Sequence, residues 1–150
     1  MRVLLVLAFC AILFGAVASI NFKKCTATAG QLNSITVTGC GKAATCTFKI
    51  GTNVTLDATF TSRVASSKAI VKIVGLIGGV LPVPFPIEPE DACGNYGLKC
   101  PFAANTQNRV AITMPILEKY PEISVTVKFR LVASNNANLL CVEFPVEITK

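Results

Sequence analysis

The sequence predicts an all-β domain: a two-sheet sandwich of about seven short antiparallel strands, each with one buried face. Three observations predict it. Apolar and polar residues alternate with a period of two in four separate runs, the pattern of strands buried on one side. Clusters of turn-forming residues separate the runs. No stretch carries a 3.6-residue apolar stripe long enough for a substantial helix.

The runs follow in chain order. Ile35 and Val37 alternate with Ser34, Thr36 and Thr38. A short strand is expected over Cys46 to Ile50. Val54, Leu56, Ala58 and Phe60 alternate with Thr55, Asp57 and Thr59. Lys68 to Val74 and Val110 to Met114 read as further, less cleanly patterned strands. Ile123, Val125, Val127, Phe129 and Leu131 alternate with Ser124, Thr126, Lys128 and Arg130. Val142, Phe144, Val146 and Ile148 close the set, alternating with Glu143 and Glu147. Their β-branched and aromatic content suits strands. Gly39-Cys40-Gly41 and Ser134 to Asn138 read as turns.

One segment breaks the pattern. Gly75 to Leu81 is apolar, uncharged and rich in glycine, and it runs into Pro82-Val83-Pro84-Phe85-Pro86. Prolines at alternate positions bar a central strand and suit an extended edge or loop. Either this segment packs over the core, which is the default, or it forms an exposed apolar patch for a partner or membrane.

The N-terminus reads as an export signal over residues 1–19. Met1-Arg2 gives a positive start, Val3 to Val17 is almost wholly apolar, and Ala16-Val17-Ala18 precedes a cleavage site. The apolar run is too short for a stable membrane span, which needs about 20 residues. Residues 20–150 then form one domain of ordinary size, exported to the extracellular space or delivered into an endomembrane lumen such as the lysosome. The formal charge of the whole chain is +6. Its cations are dispersed and not interleaved with aromatics, which argues against nucleic acid as a partner.

Seven cysteines occur, and Cys10 would be lost with the signal. An even remainder in an exported chain reads as three disulfides. Spacing alone does not choose among the pairings. The shortest loops would close Cys40–Cys46 and Cys93–Cys100 and leave Cys25–Cys141. That long bridge would add roughly 4–5 kcal/mol under the chain-entropy model. Zinc is disfavoured, because the chain has no histidine and no Cys-x-x-Cys pair.

Catalysis finds little support. Without histidine there is no Ser-His or Cys-His arrangement, and the cysteines are assigned to disulfides. Glu88, Glu90 and Asp91 cluster, but without the ligand spacing of a calcium loop; they read as a solvated loop. The expectation is a non-enzyme with no metal and no cofactor. Asn53-Val54-Thr55 is an N-glycosylation acceptor. Apolar content carries the functional signal: hydrophobic residues make up 52% of the chain. Alternation alone does not separate a filled core from a cavity.

The order of motifs adds a family. Cys25 is followed by Val37-x-Gly39-Cys40, Cys46, Gly51, the strand ending in Phe60, and Lys68-Ala69-Ile70-Val71. Then come Val83-Pro84-Phe85-Pro86, Cys93, Gly97-Leu98-Lys99-Cys100-Pro101, Met114-Pro115-Ile116, Tyr120-Pro121, and Cys141 to Val146. This frame resembles the ML, or lipid-recognition, domain family, in particular the arthropod members of its Niemann–Pick type C2 branch. The resemblance implies an immunoglobulin-like sandwich with the three pairings above and a hydrophobic tunnel between the sheets for a sterol or another single-chain lipid. It implies a lining of Val37, Val54, Leu56, Phe60, Phe85, Pro115, Ile116, Tyr120 and Phe129, with Phe85 and Pro115 near the mouth.

The leading function is therefore a sterol or lipid shuttle, a monomer that meets a membrane or membrane receptor for handoff. The Leu76-Ile77 to Phe85 segment is its candidate lip. The alternatives are an extracellular carrier of fatty acids or semiochemicals, and an innate-immune module that recognises bacterial lipid.

Overall fold

The computed structural model describes residues 22–41 and 44–150. The export-signal assignment and Cys10 lie outside the described residues.

Among the described residues nine strands form two sheets. They are β1 (Lys23–Lys24), β2 (Gly30–Val37), β3 (Cys46–Lys49), β4 (Asn53–Ser62), β5 (Ala69–Ile77), β6 (Leu81–Pro84), β7 (Gln107–Pro115), β8 (Ser124–Ala133) and β9 (Asn138–Thr149). The larger sheet runs β1-β9-β8-β5-β6, with β3 also paired to β9; the smaller runs β2-β4-β7. The sequence reading of about seven strands missed β1, only two residues long, and β6, which sits within the proline segment. β6 is an edge strand on β5, with Pro82 opposite Leu76 and Pro84 opposite Val74. Proline is tolerated there because an edge leaves one side of the backbone unpaired. The expectation of wholly antiparallel pairing also needs correction: β3 lies parallel to β9, with Cys46 opposite Val146 and Phe48 opposite Ile148.

The alternating runs do bury one face. Val54, Leu56, Ala58 and Phe60 are buried, as are Val125, Phe129 and Leu131, and Val142, Phe144, Val146 and Ile148. The opposite face of the small sheet is polar. It carries hydroxyl pairs across strands, Ser34–Thr59 at 2.6 Å and Thr55–Thr113 at 2.7 Å, and the Arg109–Asp57 ion pair. Cross-strand pairs of this kind reinforce register.

The two sheets are pinned together at one end. The Ala29 amide donates to the Asn138 carbonyl at 2.9 Å, and the Arg63 amide donates to the Ala29 carbonyl at 2.7 Å. Gly30 allows this approach: a Cβ there would lie 2.3 Å from the Leu139 carbonyl oxygen. Phe60, Val110, Leu131, Leu139 and Leu140 fill the space behind this clamp almost completely. Ser66 Oγ donates to the Lys68 carbonyl at 2.7 Å, shares a hydrogen bond with Ser134 Oγ at 2.7 Å and accepts from the Ser134 amide at 3.0 Å. A buried hydroxyl is thereby satisfied, as buried polar groups must be.

Three disulfides complete the frame: Cys25–Cys141, Cys40–Cys46 and Cys93–Cys100. The first ties the chain just after β1 to the first half of β9. The second closes the β2–β3 turn. The third closes the loop before β7.

Candidate functional site

Beyond this clamp the inward faces of the two sheets part, and a cavity of about 320 Å³ lies between them. The small sheet contributes Val37, Val54, Leu56, Ile112 and Met114; the large sheet contributes Ile73, Val125, Phe129, Phe144 and Val146. These side chains are the inward positions of β2, β4 and β7 on one wall and of β5, β8 and β9 on the other. The volume falls at the lower end of the roughly 300–1,000 Å³ typical of small-molecule pockets, and the apolar walls are typical too.

Part-exposed residues mark the open end. Phe85, Pro86, Glu88, Pro115, Leu117 and Tyr120 all line the cavity and all reach solvent. Phe85 is held there by β5. Its amide donates to the Ile73 carbonyl at 2.9 Å, and its ring lies over Gly75, where a Cβ would come within 2.7 Å of Cε2. A glycine at an inward position of β5 thus makes room for the ring. The ring meets Tyr120 edge to face, with centroids 5.5 Å apart. Ile116 is positioned from the other sheet: its amide donates to the Thr52 carbonyl at 2.8 Å, and its carbonyl accepts from the Gly51 amide at 2.7 Å.

Eight of the nine lining positions inferred from the sequence are on the cavity wall: Val37, Val54, Leu56, Phe85, Pro115, Ile116, Tyr120 and Phe129. Phe60 is placed elsewhere. It is wholly buried in the filled end, outside the cavity, and packs edge to face on Phe102 at 6.2 Å. It shares the inward face of β4 with Val54 and Leu56, but it lies two residues from the clamp, where no gap remains.

Sequence reasoning missed several wall residues. Phe48, Val146 and Ile148 come together because β3 docks parallel on β9, a long-range pairing with no local signature. Glu88 and Tyr96 also line the cavity. Tyr96 donates its phenol proton to the Pro89 carbonyl at 2.9 Å. Burial, and then the nearby Glu88 carboxylate, push that phenol above its ordinary pKa.

The glycine-rich segment is a β5–β6 hairpin, and its tip does not pack over the core. Val80 is 81% exposed and Leu81 58%. The default reading of simple packing is overturned at these two residues, whereas Phe85, a few residues on, does pack inward. The acidic cluster is divided by the fold. Asp91 accepts from the Ala69 and Cys93 amides at 3.1 and 3.0 Å, Glu90 faces Lys72 at 3.9 Å, and Glu88, exposed, borders the cavity. Among the described residues no group of acidic or sulfur side chains is arranged to hold a metal. Asn53, at the start of β4, is exposed and paired in register with Pro115 of the rim.

Fold and cavity together define a β-sandwich with an apolar cavity between its two sheets. Residues 19–148 match the sequence profile of the ML domain, and the chain belongs to the ML domain family. It is 31% identical over 140 residues to the NPC intracellular cholesterol transporter 2 homolog a of Drosophila melanogaster, covering 93% of this chain and 94% of that protein. It is 32% identical over 148 residues to the NPC intracellular cholesterol transporter 2 of Canis lupus familiaris, covering 97% of each. A Niemann-Pick type C2 protein from the Japanese carpenter ant has the same fold, with a TM-score of 0.81 at 22% identity, over 85% of this chain and 98% of that one.

Proposed function

We propose that this chain is an exported carrier that binds a sterol or similar single-chain lipid in its cavity and hands it on at a membrane. The apolar cavity between the splayed sheets carries the proposal. Full-length similarity to two proteins named as cholesterol transporters supports it. The driving force is desolvation. Each buried CH₂ contributes ~0.8 kcal/mol, so apolar walls suffice to hold a lipid without covalent chemistry or a metal.

Handoff requires the mouth to meet a lipid surface. The exposed Val80-Leu81 tip ends the hairpin whose second strand leads into Phe85, and it is the contact we assign. Three disulfides fit an oxidising compartment, and residues 1–19 serve in this reading as the export signal. Asn53 is the assigned glycan acceptor: it is exposed, and Val54, the next residue, is the one that turns inward.

The test is mass spectrometry of lipids extracted from the native secreted protein, with displacement of a fluorescent sterol. Near-stoichiometric sterol supports the shuttle. Fatty acids in its place would make it a general carrier. No lipid and no displacement would refute carriage altogether.

A further inference from the structure

The polar end of the ligand is the open question, and the cavity wall carries one charge. Among the described residues no lysine or arginine lines it; Glu88 does, and it is exposed at the open end. Thr113 is counted in the lining, but its hydroxyl bonds Thr55 on the outer sheet face. The polar side chains that can meet a ligand are therefore Glu88 and the phenols of Tyr96 and Tyr120. Tyr96 spends its proton on the Pro89 carbonyl, so its oxygen is left to accept. Glu118 and Lys119, beside Tyr120 in the chain, are exposed and off the wall.

Such an end rewards one headgroup and penalises another. A hydroxyl has a proton to donate to the Glu88 carboxylate or to the Tyr96 oxygen, and hydrogen bonds to a charged acceptor are the stronger kind. An ionised fatty-acid head has no proton to donate. Deep in the cavity it would be desolvated among apolar side chains, at heavy cost. At the mouth it would face a like charge and no paired cation. We infer that Glu88 is a specificity-determining residue that selects neutral, hydroxyl-bearing lipids and excludes ionised carboxylates from the cavity mouth. The raised pKa of the Tyr96 phenol, to which Glu88 contributes, fits a carboxylate close to that oxygen.

This inference rests on the carrier reading, and the experiment separates the two. Oleyl alcohol, oleate and methyl oleate share one chain and differ at the head. Each displaces a fluorescent sterol from the full secreted chain at pH 8, with wild type, Glu88→Gln and Glu88→Lys compared and their thermal unfolding recorded to show that each is folded. The expected result is oleyl alcohol at least tenfold tighter than oleate in wild type, and methyl oleate between them. Glu88→Gln should narrow the alcohol-to-oleate gap severalfold, and Glu88→Lys should close or reverse it. Oleate binding wild type as tightly as the alcohol would overturn the inference, as would a gap that neither substitution changes in a folded protein. If no chain of any head and no sterol binds wild type, the carrier reading itself fails, and this inference with it.

Discussion

Phe85 and Tyr120 meet edge to face at the cavity mouth, centroids 5.5 Å apart and planes at 83°. One ring follows β6 in the large sheet; the other lies between β7 and β8. The pair therefore joins the segment after β6 to the β7–β8 connection at the open end. Aromatic pairs in this geometry contribute about 0.5–1.5 kcal/mol beyond area burial, weak enough to open and strong enough to set the resting width.

Gly75 controls that pair from beneath. Gly75→Ala places a Cβ 2.7 Å from the Phe85 ring, and the ring, a mobile side chain, will be pushed off Tyr120. The expected outcome is a folded protein that releases bound sterol severalfold faster. Stopped-flow release of a fluorescent sterol measures it. Phe85→Ser should act in the same direction, and release rates equal to wild type in both would remove the gating role of Phe85.

Val80 and Leu81 are exposed at the hairpin tip and support little of the fold. Replacing both by serine should change folding stability by no more than about 0.5 kcal/mol. It should slow sterol transfer between vesicles by roughly tenfold or more, because each side chain contributes about 1.5–3 kcal/mol when buried in an apolar phase. Undiminished transfer would place the membrane contact elsewhere.

The disulfides differ in the loops they close. Cys25–Cys141 spans 116 residues and Cys40–Cys46 spans six. Replacing the first pair by serine should cost about 4–5 kcal/mol and the second about 2 kcal/mol in the chain-entropy model. Urea unfolding of the two variants gives the order; equal losses would show that native contacts, not unfolded-chain entropy, dominate.

Asp57 is held below its ordinary pKa by the hydrogen bond from Arg109, whose Nε donates at 2.9 Å. A carboxyl depressed in the folded state stabilises it above the unfolded value of 3.8. That stability is lost as pH falls through the lower folded value. Asp57→Asn should therefore flatten the loss of stability between about pH 5 and pH 2. The effect will be small, since the Arg109 side chain is 66% exposed and solvent screens it. Denaturation at several pH values in low salt checks the sign.

Asn53→Gln should remove one glycan from the secreted protein, seen as a loss of mass, and leave the thermal midpoint almost unchanged. A single mass with and without the substitution would show Asn53 unmodified.

The sequence by itself determined which faces turn inward, because strand alternation has a period of two and a slipped strand would expose its whole apolar set. It also carried the family, through the cysteine frame, the Pro84-Phe85-Pro86 segment and the Cys100-Pro101 pair. Only the tertiary structure decided where the inward faces touch and where they part. Leu56 and Phe60 are equivalent in pattern, yet Leu56 lines the cavity and Phe60 fills the core. The difference comes from the opposite layer. The Gly30–Leu139 approach draws the sheets together at one end, and the gap that opens away from it depends on the distance between two sheets, which no single strand encodes. Glu88 was illegible for the same reason: its loop belongs to no alternating run, and it becomes a wall residue only because the chain from β6 onward crosses the open end.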